Sequence, residues 1–215
     1  MKNYKPVFVI TSCIYFIDKP LSYSSVRSQY TPKERLQQTY KTINSIRLKC
    51  PSARIILLEV GKNDELLSEL KNKVDDYLYL GNHFLVRLAI DSKWKGLGEA
   101  VSLIKANKHI SNKGNFFIKI SGRYFLNKNI NLQSWDPQKF NFFEKNQVYS
   151  TRLYGFPKNL YKEWQHTLIK SIPYLLANNS IEMVLKKFLD REKINFLQRL
   201  GVSGFASSSG GLIEE

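Results

Sequence analysis

The chain has 215 residues, of which 43% are hydrophobic and 13% aromatic. That is enough apolar material to fill a core, and it excludes a disordered chain. Lys and Arg number 33 against 18 Asp and Glu, a net charge of +15, which favours polyanionic ligands or an anionic membrane surface without choosing between them.

The two cysteines, Cys13 and Cys50, make neither a disulfide framework nor a metal-ligand spacing, so a reducing compartment is the simpler reading. The apolar run over residues 7–17 is broken by Thr11 and Ser12 and is too short for a membrane span. No small-residue cleavage site follows a basic leader, so a soluble, cytoplasmic protein is expected.

Residues 7–10 are β-branched and aromatic, predicted as a first strand buried on both faces of a parallel sheet. Thr31-Pro32-Lys33-Glu34 then supplies a cap hydroxyl, a proline for the first helical position and an acid three residues after the cap. Leu36, Tyr40, Ile43 and Ile46 give the helix its apolar stripe, and Pro51 ends it. Residues 54–59 read as a second buried strand, followed by a turn over residues 61–64 and a short helix with Leu66, Leu67 and Leu70. Residues 77–80 are predicted as a third strand. Lys95-Gly96-Leu97-Gly98-Glu99-Ala100 reads as a glycine turn before a helix, and residues 116–124 as a buried strand ending in an exposed, cationic corner.

Past Arg123 the order is less regular. An Asn-rich turn over residues 127–131 and a strand over residues 147–151 precede helices after Pro157 and Asn179. The last helix is capped by Asn179 or Ser180 and striped by Ile181, Val184, Leu185, Phe188 and Leu189. The Gly- and Ser-rich residues 201–211 read either as a lid or as a frayed terminus. Alternating strands and helices argue for an α/β fold with a mixed, mostly parallel central sheet flanked by helices, its ligand beyond the strands' carboxyl ends. No repeat or linker divides the chain, so residues 1–215 are expected to form a single domain.

Candidate chemistry gathers at the corner after the fourth strand. Lys119 and Arg123, with the Gly122 backbone between them, suit the two phosphates of a departing diphosphate. The plainer alternative turns Lys119 outward on an amphipathic strand and pairs Arg123 with a surface acid. Ser121 is a hydrogen-bond partner for a ribose or sugar. Lys95 and Gly96 either bring backbone close to a ligand, glycine having no Cβ, or form an ordinary loop. Glu99 either holds sugar hydroxyls or is simply an acid favoured in a helix's first turn.

Glu182, beside the cap of the last helix, is a carboxylate suited to take the proton of an attacking hydroxyl, with the helix dipole as the bland alternative. Asp91 is the reserve base or metal ligand, and Asp75 with Asp76 is a further acidic cluster or a strand cap. His83, His109 and His166 are too scattered for metal-ligand spacing. No nucleophile elbow, Walker loop or GxGxxG after a strand occurs, which sets hydrolase, kinase and dehydrogenase readings aside. Trp94, Trp135 and Trp164 are candidates to stack on a sugar or base if exposed.

The glycine segment, helix and strand that ends at Ser121-Gly122-Arg123 resemble the nucleotide-binding half of GT-A glycosyltransferases, family-2-like enzymes in particular, over about residues 5–190. The resemblance implies a GT-A-like fold and a nucleotide-sugar donor, a UDP-sugar first among them. Residues up to about 125 would bind the donor, and residues from about 126 to 215 a glycan or lipid-linked acceptor. It also implies that Thr11, Ser12 and Glu59 contact base and ribose, that Arg27 and Arg35 contact phosphate or base, and that Glu182 stands where inverting enzymes place their base. For Glu59, capping of the next turn or pairing with a lysine is an equal alternative.

Where the family carries an Asp-x-Asp motif for a metal-bound sugar diphosphate, this chain has Ser121-Gly122-Arg123. A manganese or magnesium cofactor is therefore left open, and cations are expected in the metal's place. Viral or bacterial surface-glycan assembly is the setting such compact chains imply. The rival is a basic nucleic-acid-binding domain without catalysis, whose basic surface tracks phosphates while aromatics stack on bases. Against it, basic residues are dispersed among acids rather than gathered in a tail. A GT-A-like binding protein without activity is the third reading.

Overall fold

The computed structural model describes residues 5–62, 67–206 and 210–215. The chain opens on β1 (Val7–Ser12), whose first four residues are almost wholly enclosed. A long loop leads to α1 (Pro32–Lys49), which starts at a complete capping box. The Thr31 hydroxyl accepts from the Glu34 N–H at 3.3 Å, and the Glu34 carboxylate accepts from the Thr31 N–H at 2.8 Å, so two orphan donors are satisfied at once. β2 (Arg54–Glu59), α2 (Ser68–Lys71) and β3 (Asp76–Tyr79) follow, the third strand starting one residue earlier than expected. The turn expected over residues 61–64, and Leu66, fall partly or wholly outside the described residues.

Two readings change in the next stretch. Residues 84–91 form α3 (Phe84–Asp91), and α4 (Lys95–Ile110) begins at Lys95 itself, so both glycines lie inside a helix rather than in a turn before it. A Cβ on Gly98 would stand 2.8 Å from Ile90 Cδ1, and one on Gly96 3.0 Å from Leu175 Cδ2. The glycines are there because α4 packs tightly on its neighbours.

β4 (Phe116–Ser121) and β5 (Tyr124–Leu126) flank the corner. β6 (Phe140–Phe142) comes next, then the small hairpin of β7 (Glu144–Lys145) and β8 (Val148–Tyr149), which replaces the longer strand expected over residues 147–151. β9 (Leu153–Pro157) leads into α5 (Tyr161–Leu176) and α6 (Ile181–Phe188), the latter capped by the Ser180 hydroxyl accepting from the Met183 N–H at 3.2 Å. The chain finishes with β10 (Ile194–Phe196), β11 (Val202–Phe205) and β12 (Leu212–Glu214).

Seven strands make the central sheet in the order β10-β6-β9-β4-β1-β2-β3. β1 pairs in parallel with β2 and β4, and β2 with β3, whereas β9 runs antiparallel to β4 and β6. The fold class expected from the alternating elements, a mixed and mostly parallel sheet between helices, is the one observed. On one face α1 sets Leu36, Ile43 and Ile46 against Phe8, Ile10, Ile55 and Ile118. On the other, Ala100, Leu103 and Leu168 of α4 and α5 cover Val9, Phe117 and Phe156. Register therefore decides which face each residue of β1 and β4 serves, because alternate side chains point to opposite sides.

The Gly- and Ser-rich tail is neither simply frayed nor only a lid in its described part. β11 pairs with β5 and β12 with β11, forming a three-stranded antiparallel sheet beside α1. Thr42 donates to the Tyr124 carbonyl at 2.8 Å and the Leu126 N–H donates to Ser45 at 3.0 Å, which seals β5 onto α1.

Candidate functional site

Two adjoining clefts open at the carboxyl ends of the parallel strands, where the backbone leaves the sheet and side chains from several strands converge. The first, with about 120 Å³ of enclosed space, is lined by Thr11 and Ser12 of β1, Ser121 of β4, Arg123 after it, Arg35 of α1, and Lys95 and Glu99 of α4. Thr11 and Ser121 are register partners on neighbouring strands, so their hydroxyls stand side by side on the floor.

Cations form the walls. The Arg35 guanidinium sits 4.7 Å over the Phe16 ring. Desolvation, opposed by Cys13 and reinforced by the repulsion of Arg123 and Arg27, lowers its pKa to about 10, which leaves it charged at neutral pH. Lys95 is open to the cleft, yet the surrounding protein walls exclude much of the solvent. That desolvation, with Arg123 and Arg35 close by, lowers its pKa to about 7 despite the opposing pull of Glu99 and Glu182. Repulsion among like charges of this kind is relieved by an anion placed between them. Arg27 also lines the cleft, but its guanidinium already donates to the carbonyls of Lys19, Ile90 and Ser92 at 2.9, 2.8 and 2.5 Å. Its part is to tie the loop after β1 to the end of α3.

Four residues expected to touch a ligand are placed elsewhere. Lys119 is 2% exposed and faces the α4 side of the sheet, neither outward nor into the first cleft. Its ammonium meets Glu99 Oε1 at 2.5 Å and donates to the Thr151 carbonyl at 2.6 Å and Ser121 Oγ at 3.0 Å. Gly122 is also committed, its N–H donating to the Thr11 carbonyl at 2.8 Å and its carbonyl accepting from Thr39 at 3.2 Å. Glu59 has no exposed surface. Its Oε1 accepts from the N–H groups of Ile14 at 3.0 Å and Gly61 at 2.7 Å, so it shapes the loops behind the floor. Burial raises its pKa against the lowering effect of these bonds and of Ser12. Asp91 is held by Arg87 one turn earlier on α3.

Glu182 and Gly96 belong to the second cleft, which they line with Tyr23, Trp94, Asn179 and Ser180. Lys95 and Glu99 line this cleft as well as the first, so the two meet along the first turn of α4. Ser180 caps α6 and so places Glu182 in that helix's first turn, where Glu182 Oε1 accepts from the Thr151 hydroxyl at 2.8 Å. Trp94 is half-buried here, whereas Trp135 and Trp164 are core residues. Asp75 and Asp76 lie at the opposite, amino-terminal edge of β2 and β3, paired with Arg47, Arg54 and Lys113. Among the described residues no three His, Cys, Asp or Glu gather as a metal site. No described helix is long and apolar enough to cross a membrane.

Sequence reasoning missed Phe16, Cys13 and Tyr23. All three sit in the loop after β1, which carries no local pattern and folds back over the strand ends. Burial pushes the Cys13 thiol up to about 11, so it lines the cleft as a neutral group.

No protein-family model matches the chain, and no curated protein is similar to it in sequence. The fold is similar to solved structures. One is a CTP:phosphocholine cytidylyltransferase from Streptococcus pneumoniae, with 13% identity, 94% of each chain covered and a TM-score of 0.51. Another is a 4-diphosphocytidyl-2C-methyl-D-erythritol synthase from Anaerococcus prevotii, with 12% identity, 90% of this chain and 86% of that chain covered, and a TM-score of 0.51. A glycosyltransferase involved in glycosylation of the major capsid of PBCV-1 aligns at 8% identity over 90% of this chain and 82% of that one, with a TM-score of 0.49. The first two likenesses show the fold alone, a GT-A-like α/β sheet flanked by helices, and do not reach the family-2-like resemblance of the sequence.

Proposed function

We propose that this chain is a glycosyltransferase, moving a sugar from a nucleotide diphosphate, a UDP-sugar first among candidates, to a hydroxyl of a glycan or lipid-linked acceptor. One observation carries the reading: Arg35, Lys95 and Arg123 converge on a cleft that shares a wall with a second cleft bearing Glu182. Anion and acceptor hydroxyl then meet at one edge.

In this reading the diphosphate lies among the three cations and the sugar points along α4 toward Glu99. The acceptor oxygen attacks the anomeric carbon as the bond to the diphosphate oxygen breaks. Glu182 takes the hydroxyl proton, and the cations hold the charge that develops on the leaving group. A single displacement of this kind inverts the anomeric centre. Among the described residues no three His, Cys, Asp or Glu gather, and of the two carboxylates that line the clefts Glu99 is tied to Lys119, so the residues present do not fit a manganese or magnesium ion. No step is therefore routed through a metal.

Fold likeness to cytidylyltransferases favours a second reading, nucleotidyl transfer from a nucleoside triphosphate. Against it, residues 13–31 after β1 contain no glycine, where a triphosphate cradle of backbone amides calls for a glycine-rich loop. A thermal-shift panel of UDP, GDP, CMP, CTP and the UDP-sugars, with and without manganese, separates the two, because a ligand selective for the folded state raises its melting temperature. Stabilisation by UDP and UDP-sugars supports glycosyl transfer. Stabilisation by CTP alone replaces it with the second reading. A response to RNA or DNA that fades steeply with salt, and to no nucleotide, marks the nucleic-acid-binding alternative.

A further inference from the structure

We infer that Lys119 is a positioning residue that fixes both carboxylates of the shared edge, Glu99 and Glu182, against the corner of β4. The inference rests on the transferase reading above. Packing gives no reason for an ammonium at this place: the side chain lies 2% exposed in an aromatic core, 5.8 Å from the centre of the Tyr154 ring. A methionine would fill the same space without the cost of burying a charge. The geometry supplies the reason instead.

Every polar partner of the ammonium leads to a cleft. Glu99 lines both clefts and Ser121 the first. The third partner is the carbonyl of Thr151, the residue whose hydroxyl donates to Glu182 in the second cleft. One buried nitrogen thus sets the donor-side floor, the carboxylate on the shared wall and, through Thr151, the acceptor-side carboxylate. A buried ion pair with two further hydrogen bonds restrains the groups it holds, and rigid support is what a reacting group held to within a fraction of an ångström requires.

The experiment compares wild type, Lys119→Met, Glu99→Gln and the double variant Lys119→Met/Glu99→Gln, in which no carboxylate is left facing a lost partner. UDP affinity is measured by calorimetry, and UDP release from UDP-glucose, UDP-galactose and UDP-N-acetylglucosamine by a coupled assay. Lys119→Met is expected to bind UDP within about threefold of wild type, because the ammonium does not itself line the donor cleft, while kcat falls about 100-fold at little-changed donor KM. The double variant is expected to recover the melting temperature of Glu99→Gln yet to fall at least about tenfold below Glu99→Gln in kcat, because Glu182 has lost its support through Thr151. If the double variant matches Glu99→Gln in kcat, Lys119 is only a core group and the inference is overturned. If wild type fails to bind UDP, the transferase reading itself falls and takes the inference with it. A wild type that binds UDP but turns over none of the three sugars also removes it, since no reaction is left for Lys119 to serve.

Discussion

Lys95 and Glu99 stand one helical turn apart at the start of α4, and each lines both clefts. Residues four apart on a helix share a face, so a cation and a carboxylate are presented together where the two spaces join. Their surroundings differ. Glu99 is pinned by the buried Lys119, whereas Lys95 projects among Arg35 and Arg123, and desolvation, reinforced by their repulsion, lowers its pKa. In the proposed reaction the pinned carboxylate orients the sugar and the crowded ammonium receives the diphosphate.

That crowding gives binding a pH dependence with a definite sign. In the free protein Lys95 loses its proton as pH rises through about 7. A bound diphosphate stabilises the ammonium, so UDP-glucose affinity is expected to be highest below that pH. Above it, affinity falls by up to about tenfold per pH unit until the bound-state pKa is passed. Calorimetry between pH 6 and 9 measures this, and Lys95→Met is expected to flatten the profile. In the free protein the same shift works the other way on stability. Between about 7 and the ordinary lysine value of 10.5 the unfolded chain holds the extra proton, so this group's contribution to stability rises with pH.

The arginines of the cleft divide by what their guanidinium groups already hold. Arg123→Met is expected to weaken UDP-glucose binding by about 10- to 100-fold, the range for a lost hydrogen bond to a charged group, with little change in melting temperature. Arg27 instead spends its donors on three backbone carbonyls. Arg27→Met is therefore expected to destabilise the fold by about 2–4 kcal/mol. Paired calorimetry and denaturation distinguish the two effects.

Legibility in the sequence followed the range of the interactions. β1, β2 and α1 are written locally, in continuous apolar runs and a capping box, and residues 54–59 formed the strand expected of them. Lys119 could not be oriented because its partners Glu99 and Thr151 lie on other elements, 20 and 32 residues away in sequence. β9 was hidden by its own glycine. A Cβ on Gly155 would meet the Trp135 ring at 2.5 Å and the Phe117 carbonyl at 2.9 Å, so a residue that weakens a strand on propensity is required by tertiary contact. Gly204 in the tail is similar, its missing Cβ making room 2.3 Å from the Arg123 carbonyl. Thr11, Ser12, Arg35, Lys95, Glu99, Ser121 and Arg123 were nevertheless brought to one cleft, because strand ends and helix starts are positions that the order of elements does specify.

The acceptor-side carboxylate permits a clean substitution. Glu182→Gln keeps an oxygen for the Thr151 hydroxyl, so the melting temperature and UDP affinity are expected to stay at wild-type values. Transfer is expected to fall about 100- to 10,000-fold, the usual worth of a general base. Thr151→Val, which removes the hydroxyl and retains the carbonyl that Lys119 holds, is expected to lower kcat to a smaller extent, and Thr151→Ser to restore it. Undiminished turnover in Glu182→Gln would remove this residue from the reaction.

Glu59 separates hydrogen-bonding capacity from charge. Its buried Oε1 satisfies the Ile14 and Gly61 N–H groups, and desolvation raises its pKa. For a carboxyl whose folded pKa is raised, the stabilising contribution is present in acid and is lost as pH climbs through the folded value. Glu59→Gln offers the same two amides a neutral oxygen, so it is expected to match or exceed wild-type stability, with the gain growing as pH rises above the ordinary carboxyl range. Glu59→Ala leaves both amides without an acceptor and is expected to cost about 2–5 kcal/mol. Urea denaturation at pH 5 and pH 8 tests the pair. Loss of stability in the glutamine variant that deepens as pH rises would show that the negative charge itself holds the two loops.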